Sequence, residues 1–164
     1  MNVRRLQAGD ADALRGVRLR ALLDAPDAFW TTYEREAASE SEYWRRWIDS
    51  AALFVAEDGV GCAGGMAGGI ADPDDPAAAL LIAMWVAPEH RGSVLADKLV
   101  AAVADWAAAE RRPNVRLNVE EHNHRARRCY ERLGFQLTGR RNRRDRDGRF
   151  ELEMVLHVER PRTG

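Results

Sequence analysis

The residues best suited to chemistry lie between Val86 and Ala96. A strand ending at Val86 feeds through a short polar turn into a helix opening near Ser93, which aims free backbone N–H groups beyond the strand. The first turn of a helix has orphan donors and a partial positive charge, so it favours an anion. Arg91 adds a full charge, and Gly92 permits positive φ or close approach. The run Arg91-Gly92-Ser93-Val94-Leu95-Ala96 could therefore hold a pyrophosphate. Without that role it is an ordinary strand–turn–helix connection, with Arg91 a solvated side chain. A second concentration of charge is Arg140, Arg141, Arg143, Arg144, Arg146 and Arg149. Such a hairpin tip is usually solvated, the alternative being recognition of an acidic acceptor or a phosphate-bearing partner.

The elements that must position these residues follow from periodicity. A strand is predicted over 2–6, then a turn at Gly9-Asp10 with Asp10 as N-cap, then a helix over about 10–24. Ala11, Leu14, Val17 or Arg18, Ala21 and Leu22 form its inner stripe, leaving Arg15, Arg20 and Asp24 outward. Ser39 or Ser41 caps a second helix over about 40–49 that carries Tyr43, Trp44, Trp47 and Ile48. Strands over 51–56 and 60–70 surround a turn at Asp58-Gly59, and the glycines of the second leave room for another backbone or a ligand. Residues 79–86 are apolar on both alternating faces, which predicts a central buried strand. Leu95, Leu99, Ala102, Val103 and Trp106 mark an amphipathic helix over about 93–110. A strand over 115–119, a helix over 124–132 closed by Gly134 at C′, and strands over 135–140 and 150–158 complete the order. No internal repeat is seen, and the mixed order predicts a single α/β (α+β) domain over 1–164 with one sheet.

Composition agrees with a folded globular chain of 164 residues, 46% hydrophobic and 31% charged. A net charge of −1 gives no general reason to expect nucleic-acid or anionic-membrane binding. Of 25 basic residues only Lys98 is a lysine, so the basic chemistry is that of guanidinium. Cys62 and Cys129 lack metal-type spacing and suit a reducing compartment, and no segment reads as a signal peptide or membrane span, so a cytoplasmic location is expected. His122 and His124 are not read as metal ligands, and no metal is expected.

Val86-Ala87-Pro88-Glu89-His90-Arg91-Gly92 and the signature that follows resemble the GNAT superfamily of N-acetyltransferases. There a V-x-P-x-x-R-G turn and a Q/R-x-x-G-x-G/A signature bind the coenzyme A pyrophosphate. Arg91 and Ala96 match, while Val94 stands where the family has its central glycine, which implies binding that is weakened or slightly re-posed. Asn123, Ala126, Tyr130, Gly134 and Phe135 match the family's N-x-x-A-x-x-x-Y-x-x-x-G-F segment, the most specific stretch in the chain. The resemblance covers about residues 80–135. It implies a mixed, mostly antiparallel sheet of about six or seven strands flanked by about four helices. Acceptor-side helices would fall in about 10–49, the coenzyme-binding core in about 79–135 and a C-terminal hairpin in about 135–158.

The implied activity is transfer of an acetyl group from acetyl-CoA to an amine. Met84, Trp85 and Val86 would pair with the pantetheine arm, a bulge there aiming an amide at the acetyl carbonyl. Tyr130 would protonate the departing thiolate, since a tyrosine near its ordinary pKa of about 10 keeps its proton at neutral pH. Asn123 would bond the pantetheine arm, and Arg127 or Arg128 would meet coenzyme phosphates. The plain alternatives are a half-buried aromatic anchoring its helix for Tyr130 and an N-cap for Asn123.

On the acceptor side the implied region holds Phe29, Trp30, Tyr33, Glu34, Glu36, Trp44 and Trp47. Trp30, Tyr33 and Glu34 are the candidates for the acceptor, Glu34 also as base; Trp44 and Trp47 read as packing. The rival reading is a non-catalytic acyl-CoA-binding or sensing module of the same fold. A nucleic-acid domain built on the arginine hairpin lacks an aromatic stacking motif. The partner expected is a small-molecule or peptide amine, with no nucleic acid and no membrane, and a homodimer is a resemblance-based expectation.

Overall fold

The computed structural model describes residues 1–158. Seven strands form one sheet: β1 (Asn2–Arg5), β2 (Ala52–Glu57), β3 (Ala63–Ala71), β4 (Ala79–Val86), β5 (Asn114–Glu120), β6 (Gln136–Arg143) and β7 (Phe150–His157). Their order is β1-β2-β3-β4-β5-β7-β6. Every neighbouring pair is antiparallel except β4 with β5, which are parallel. A parallel pair needs a crossover, and α4 (Leu95–Ala109) supplies it. The other helices are α1 (Ala11–Asp24), α2 (Tyr33–Ala37), α3 (Ser41–Ser50) and α5 (His124–Arg132).

The sheet separates two cores. On one face Leu14, Val17, Leu22, Trp44 and Ile48 of α1 and α3 pack on Leu53, Val55, Met66 and Trp85. On the other Leu95, Leu99, Val103 and Ala107 of α4 meet Leu117, Val119, Phe135 and Met154, with Ala126 and Tyr130 of α5 at the margin. The central position of β4 agrees with its two apolar faces. The glycines of β3 answer a packing need rather than a ligand. A Cβ at Gly65 would lie 2.8 Å from the Trp85 carbonyl oxygen, and one at Gly69 would lie 2.5 Å from the Trp106 ring. Their absence lets α4 sit close on the sheet.

Several boundaries move. Asp10 stands at the N-cap of α1, its carbonyl accepting from the Leu14 amide, but its carboxylate bonds no helical amide and accepts instead from the Gln7 amide and from Arg4. Glu40, not either serine, precedes α3, and its backbone carbonyl takes the Tyr43 amide. A fifth helix, α2, was not expected; Thr32 caps it through the Arg35 amide. Residues 60–62 are not strand, because the 58–62 turn closes through the Asp58 side chain and positive φ at Gly61, leaving Val60 88% exposed. The fourth helix opens at Leu95, not Ser93. Trp44 is core, as read. Arg18 is buried too, its guanidinium doubly bonded to the buried Glu36 and stacked on Phe29 and Trp47.

Candidate active site

The parallel pair β4–β5 holds register only at Ala79 with Val115 and Leu80 with Arg116. Beyond it β4 bulges: Met66 faces Trp85 while Gly68 faces Ile82, so Ala83 and Met84 share one partner, and Ala83 takes φ of +53°. The two strands part, and a cavity of about 760 Å³ opens there. Met84, Trp85 and Val86 line it from the sheet.

The turn after β4 forms the cavity's second wall. Gly92 has φ of +78°, a conformation that glycine adopts without strain. Ser93 Oγ donates to the His90 carbonyl at 2.6 Å and accepts from the Leu95 amide. The Lys98 amide is bonded back to the Val94 carbonyl, so the amides of Ser93, Val94, Ala96 and Asp97 precede the first helical bond. Val94 sits at φ −73°, ψ 5°, which a valine adopts without strain, and its side chain is exposed at the cavity. The glycine of the signature is therefore not demanded by this backbone. Gly92, Ser93, Val94 and Ala96 line the cavity, whereas Leu95 turns into the core.

Arg91 is not a free cation here. Its Nε donates to the Val86 carbonyl at 2.9 Å, and its terminal nitrogen pairs with Asp24. Asp24 also accepts from the buried Trp85 indole at 2.8 Å, so one carboxylate at the end of α1 ties β4 to the turn. Nothing in the α1 periodicity marks Asp24, which reads as an outward helix-end residue. Asp97, in the first turn of α4, also lines the cavity; Arg132 of α5 grips it with two bonds of 2.7 and 2.9 Å and holds its carboxyl below the usual range.

The helix α5 supplies the third wall. Asn123 caps it, Oδ1 accepting from the Ala126 amide at 3.2 Å, so the N-cap reading is realised while the residue also lines the cavity. Gly134 closes the helix at φ +97° as C′. Tyr130 lines the cavity, its ring edge-on to Phe135 at 5.6 Å. Burial, and then Cys129, push its hydroxyl pKa above the ordinary value, so it stays protonated at neutral pH. Arg125 and Arg132 line the cavity; Arg127, the residue expected at the phosphates, is not among the lining residues and pairs with Glu131. Arg125 and Arg132 stand at i and i+7 on one side of α5 while Arg127 at i+2 points away from it, so helical spacing was the signal that separates them.

From the α1 face Asp24, Ala25, Ala28 and Phe29 complete the lining. Trp30, Tyr33 and Glu34 do not line this cavity, and Glu34 is exposed on α2. The Trp30 indole instead donates to Glu151 on β7 at 3.0 Å. The arginine hairpin is not simply solvated. Arg144 is fully buried, bonded to Asp147 and to the Asp27 carbonyl at 2.8 Å, Arg146 bonds the Pro26 and Phe29 carbonyls, and Arg149 pairs with Asp27. The tip thus pins the loop that carries Ala28 and Phe29. Spacing could not reveal this, because the bonds span more than a hundred residues of sequence.

The chain matches the acetyltransferase (GNAT) family over residues 19–135. No curated protein sequence matches it significantly. Solved structures with the same fold include a GNAT-family acetyltransferase from Streptococcus pneumoniae, 18% identical with TM-score 0.80, covering 96% of this chain and 99% of that one. Another is a phosphinothricin acetyltransferase from Sinorhizobium meliloti in complex with AcCoA, 17% identical with TM-score 0.76, covering 99% and 94%. A third is a ribosomal-protein-alanine N-acetyltransferase from Brucella melitensis, 19% identical with TM-score 0.76, covering 96% and 100%.

Proposed function

The chain belongs to the GNAT acetyltransferase family and is an acyltransferase, and on that premise we propose that it moves an acetyl group from acetyl-CoA to a primary amine by direct attack within a ternary complex. The observation that carries this reading is the single cavity running from the β4 bulge to the α4 turn and Tyr130. Phosphates of the coenzyme would meet the early amides of α4, with Arg91 and the cavity-lining Arg125 and Arg132 supplying charge. Arg127 is left out of that role. Edge groups of Met84, Trp85 and Val86 would pair with the pantetheine arm, Asn123 would meet it from α5, and an amide near Val86 would face the developing oxyanion.

In the reaction the neutral amine nitrogen bonds the carbonyl carbon, the C–S bond breaks, and the thiolate takes the Tyr130 proton. The adduct nitrogen then gives up its proton, which restores the tyrosine. Glu34, exposed to solvent on α2, is a poor base for this step. The sensing-module alternative has its footing in Val94, whose backbone a valine adopts without strain, so the turn itself needs no glycine there. Two free cysteines fit a reducing, cytoplasmic setting, and no described helix is long and apolar enough to cross a membrane.

The test is thiol release from acetyl-CoA across a panel of amines, with Tyr130→Phe as the variant. Loss of a general acid lowers kcat by about 10²- to 10⁴-fold. The ring and its Phe135 contact remain, so coenzyme affinity should stay within about twofold. Unchanged kcat removes Tyr130 as the acid.

A further inference from the structure

Beyond the parting of β4 and β5, the exposed end of β5 carries carboxylates that the coenzyme reading does not use. Glu120 lies five positions beyond Val115, and because the bulge takes one extra β4 residue at Ala83 and Met84, the parallel register carried upward sets Glu120 level with Trp85 across the opening. Glu120 is paired with Glu151 directly across β5–β7, so the two side chains share one face of the sheet. That face is opposite the one Val115, Leu117 and Val119 bury under α4, and is the face lined by the 26–30 loop.

Among the described residues, both carboxylates have an oxygen that is shut from solvent without a partner: Oε1 of Glu120 and Oε2 of Glu151. Glu151 is only 3% exposed. Its other oxygen takes the Trp30 indole N–H, and the nearest Arg144 nitrogen stands 3.6 Å away, already committed to the Asp27 carbonyl. Glu120 Oε2 takes only the His122 amide. Buried carboxylate oxygens are costly without donors, and facing one another they repel. A second cavity, about 390 Å³, opens beside Glu120 between Glu121, Arg149 and Phe150.

We propose that Glu120 and Glu151 are the ammonium-binding site of the acceptor, capped by Trp30, and that the acceptor is an aliphatic primary amine taken up as its cation. This rests on the transferase reading. An –NH₃⁺ group offers three donors, which suits two unpartnered oxygens, and the Trp30 ring adds a cation-compatible face. On binding, one N–H proton passes to Glu151, which becomes the acid and leaves the amine lone pair free for the acetyl carbon. In sum, ammonium and acetyl-CoA give amide, free thiol and one released proton. Burial raises the Glu151 pKa, Asp147 and Glu120 adding to this while Arg144 and the Trp30 N–H oppose it; Glu153, next on that face, is occupied by Thr138 and Arg140.

The experiment titrates the wild-type chain with n-butylamine, and with n-butanol as its neutral isostere, at constant ionic strength. The readout is the ¹H–¹⁵N indole resonance of Trp30, assigned by its loss in Trp30→Phe. Butylammonium should shift it saturably and butanol should not, with Glu120→Gln and Glu151→Gln each weakening the affinity at least tenfold. Glu120→Gln disturbs no ion pair, so it stands if Glu151→Gln misfolds. Equal affinity in wild type and Glu120→Gln, or an equal response to butanol, overturns the site. Thiol release in the same samples separates the two readings. Turnover with a KM for n-butylamine unmoved in the variants removes the site and keeps the transferase. A glutamate-dependent shift without turnover keeps the site and removes the transferase.

Discussion

Replacing Asp24 by Asn should expose a competition built into the coenzyme cavity. In the structure Asp24 holds Arg91 while also accepting from the buried Trp85 indole. Both bonds end on the same oxygen, Oδ2, so an asparagine oxygen there still accepts from the indole and the arginine but no longer carries the charge of the ion pair. The loss is therefore one charge-assisted, partly exposed pair, worth about 1–2 kcal/mol. For a chain of this length that lowers Tm by roughly 2–8 °C. Coenzyme binding should move the other way. A phosphate that recruits Arg91 must share it with Asp24, and relief of about 1 kcal/mol tightens CoA binding about fivefold. At a CoA concentration a hundred times the wild-type Kd, ligand linkage adds about 2.7 kcal/mol to wild type and roughly 1 kcal/mol more to the variant. The gap in Tm should therefore narrow when CoA is added. Calorimetric titration and thermal melts with and without CoA read both effects. Weaker CoA binding by Asp24→Asn would refute the competition and show that Asp24 holds Arg91 in place for the phosphate.

Gly69→Ala should lower Tm by roughly 2–12 °C, since a Cβ 2.5 Å from the Trp106 ring must push α4 off the sheet at about 1–3 kcal/mol; an unchanged melt would contradict the packing account of the β3 glycines. Stability against pH should reveal Glu151. Its folded pKa is raised, so its contribution is full below the unfolded carboxylate value and lost as pH rises through the raised one. The stability of Glu151→Gln relative to wild type should therefore increase as pH rises above about 4.5; a flat difference across denaturant melts would count against it. Asp97 behaves oppositely: Arg132 depresses its pKa, so its contribution is present above the unfolded value and lost in acid. Asp97→Asn should accordingly flatten the acid limb of the melting profile below about pH 4.

The parts of this site that sequence made legible are the parts built from contiguous residues. The turn of residues 86–96 and the 123–135 segment carry their geometry in local spacing, so Gly92, Ser93, Val94, Ala96, Asn123 and Tyr130 all reach the cavity. That β4 lies inside the sheet was legible because a run apolar on both faces must be covered on both. What stayed hidden are pairs fixed by tertiary register: Asp24 with Arg91, Asp97 with Arg132, Glu120 beside Glu151. Composition likewise cannot separate the fully buried Arg144 from its exposed neighbours, since each arginine carries the same charge and only chain crossing decides which is enclosed. Helix α2 escaped notice because five residues hold too few turns to show a period.

Direct transfer of acetyl to an amine nitrogen is read out by mass spectrometry of one reaction. Protein, acetyl-CoA and n-butylamine are combined, and free thiol, N-acetyl product and protein mass are measured together. One N-acetylbutylamine is expected for each thiol released, with the protein mass unchanged throughout. Thiol release without the N-acetyl product, or an acetylated protein that forms before the amine is added and then decays into product, would contradict it.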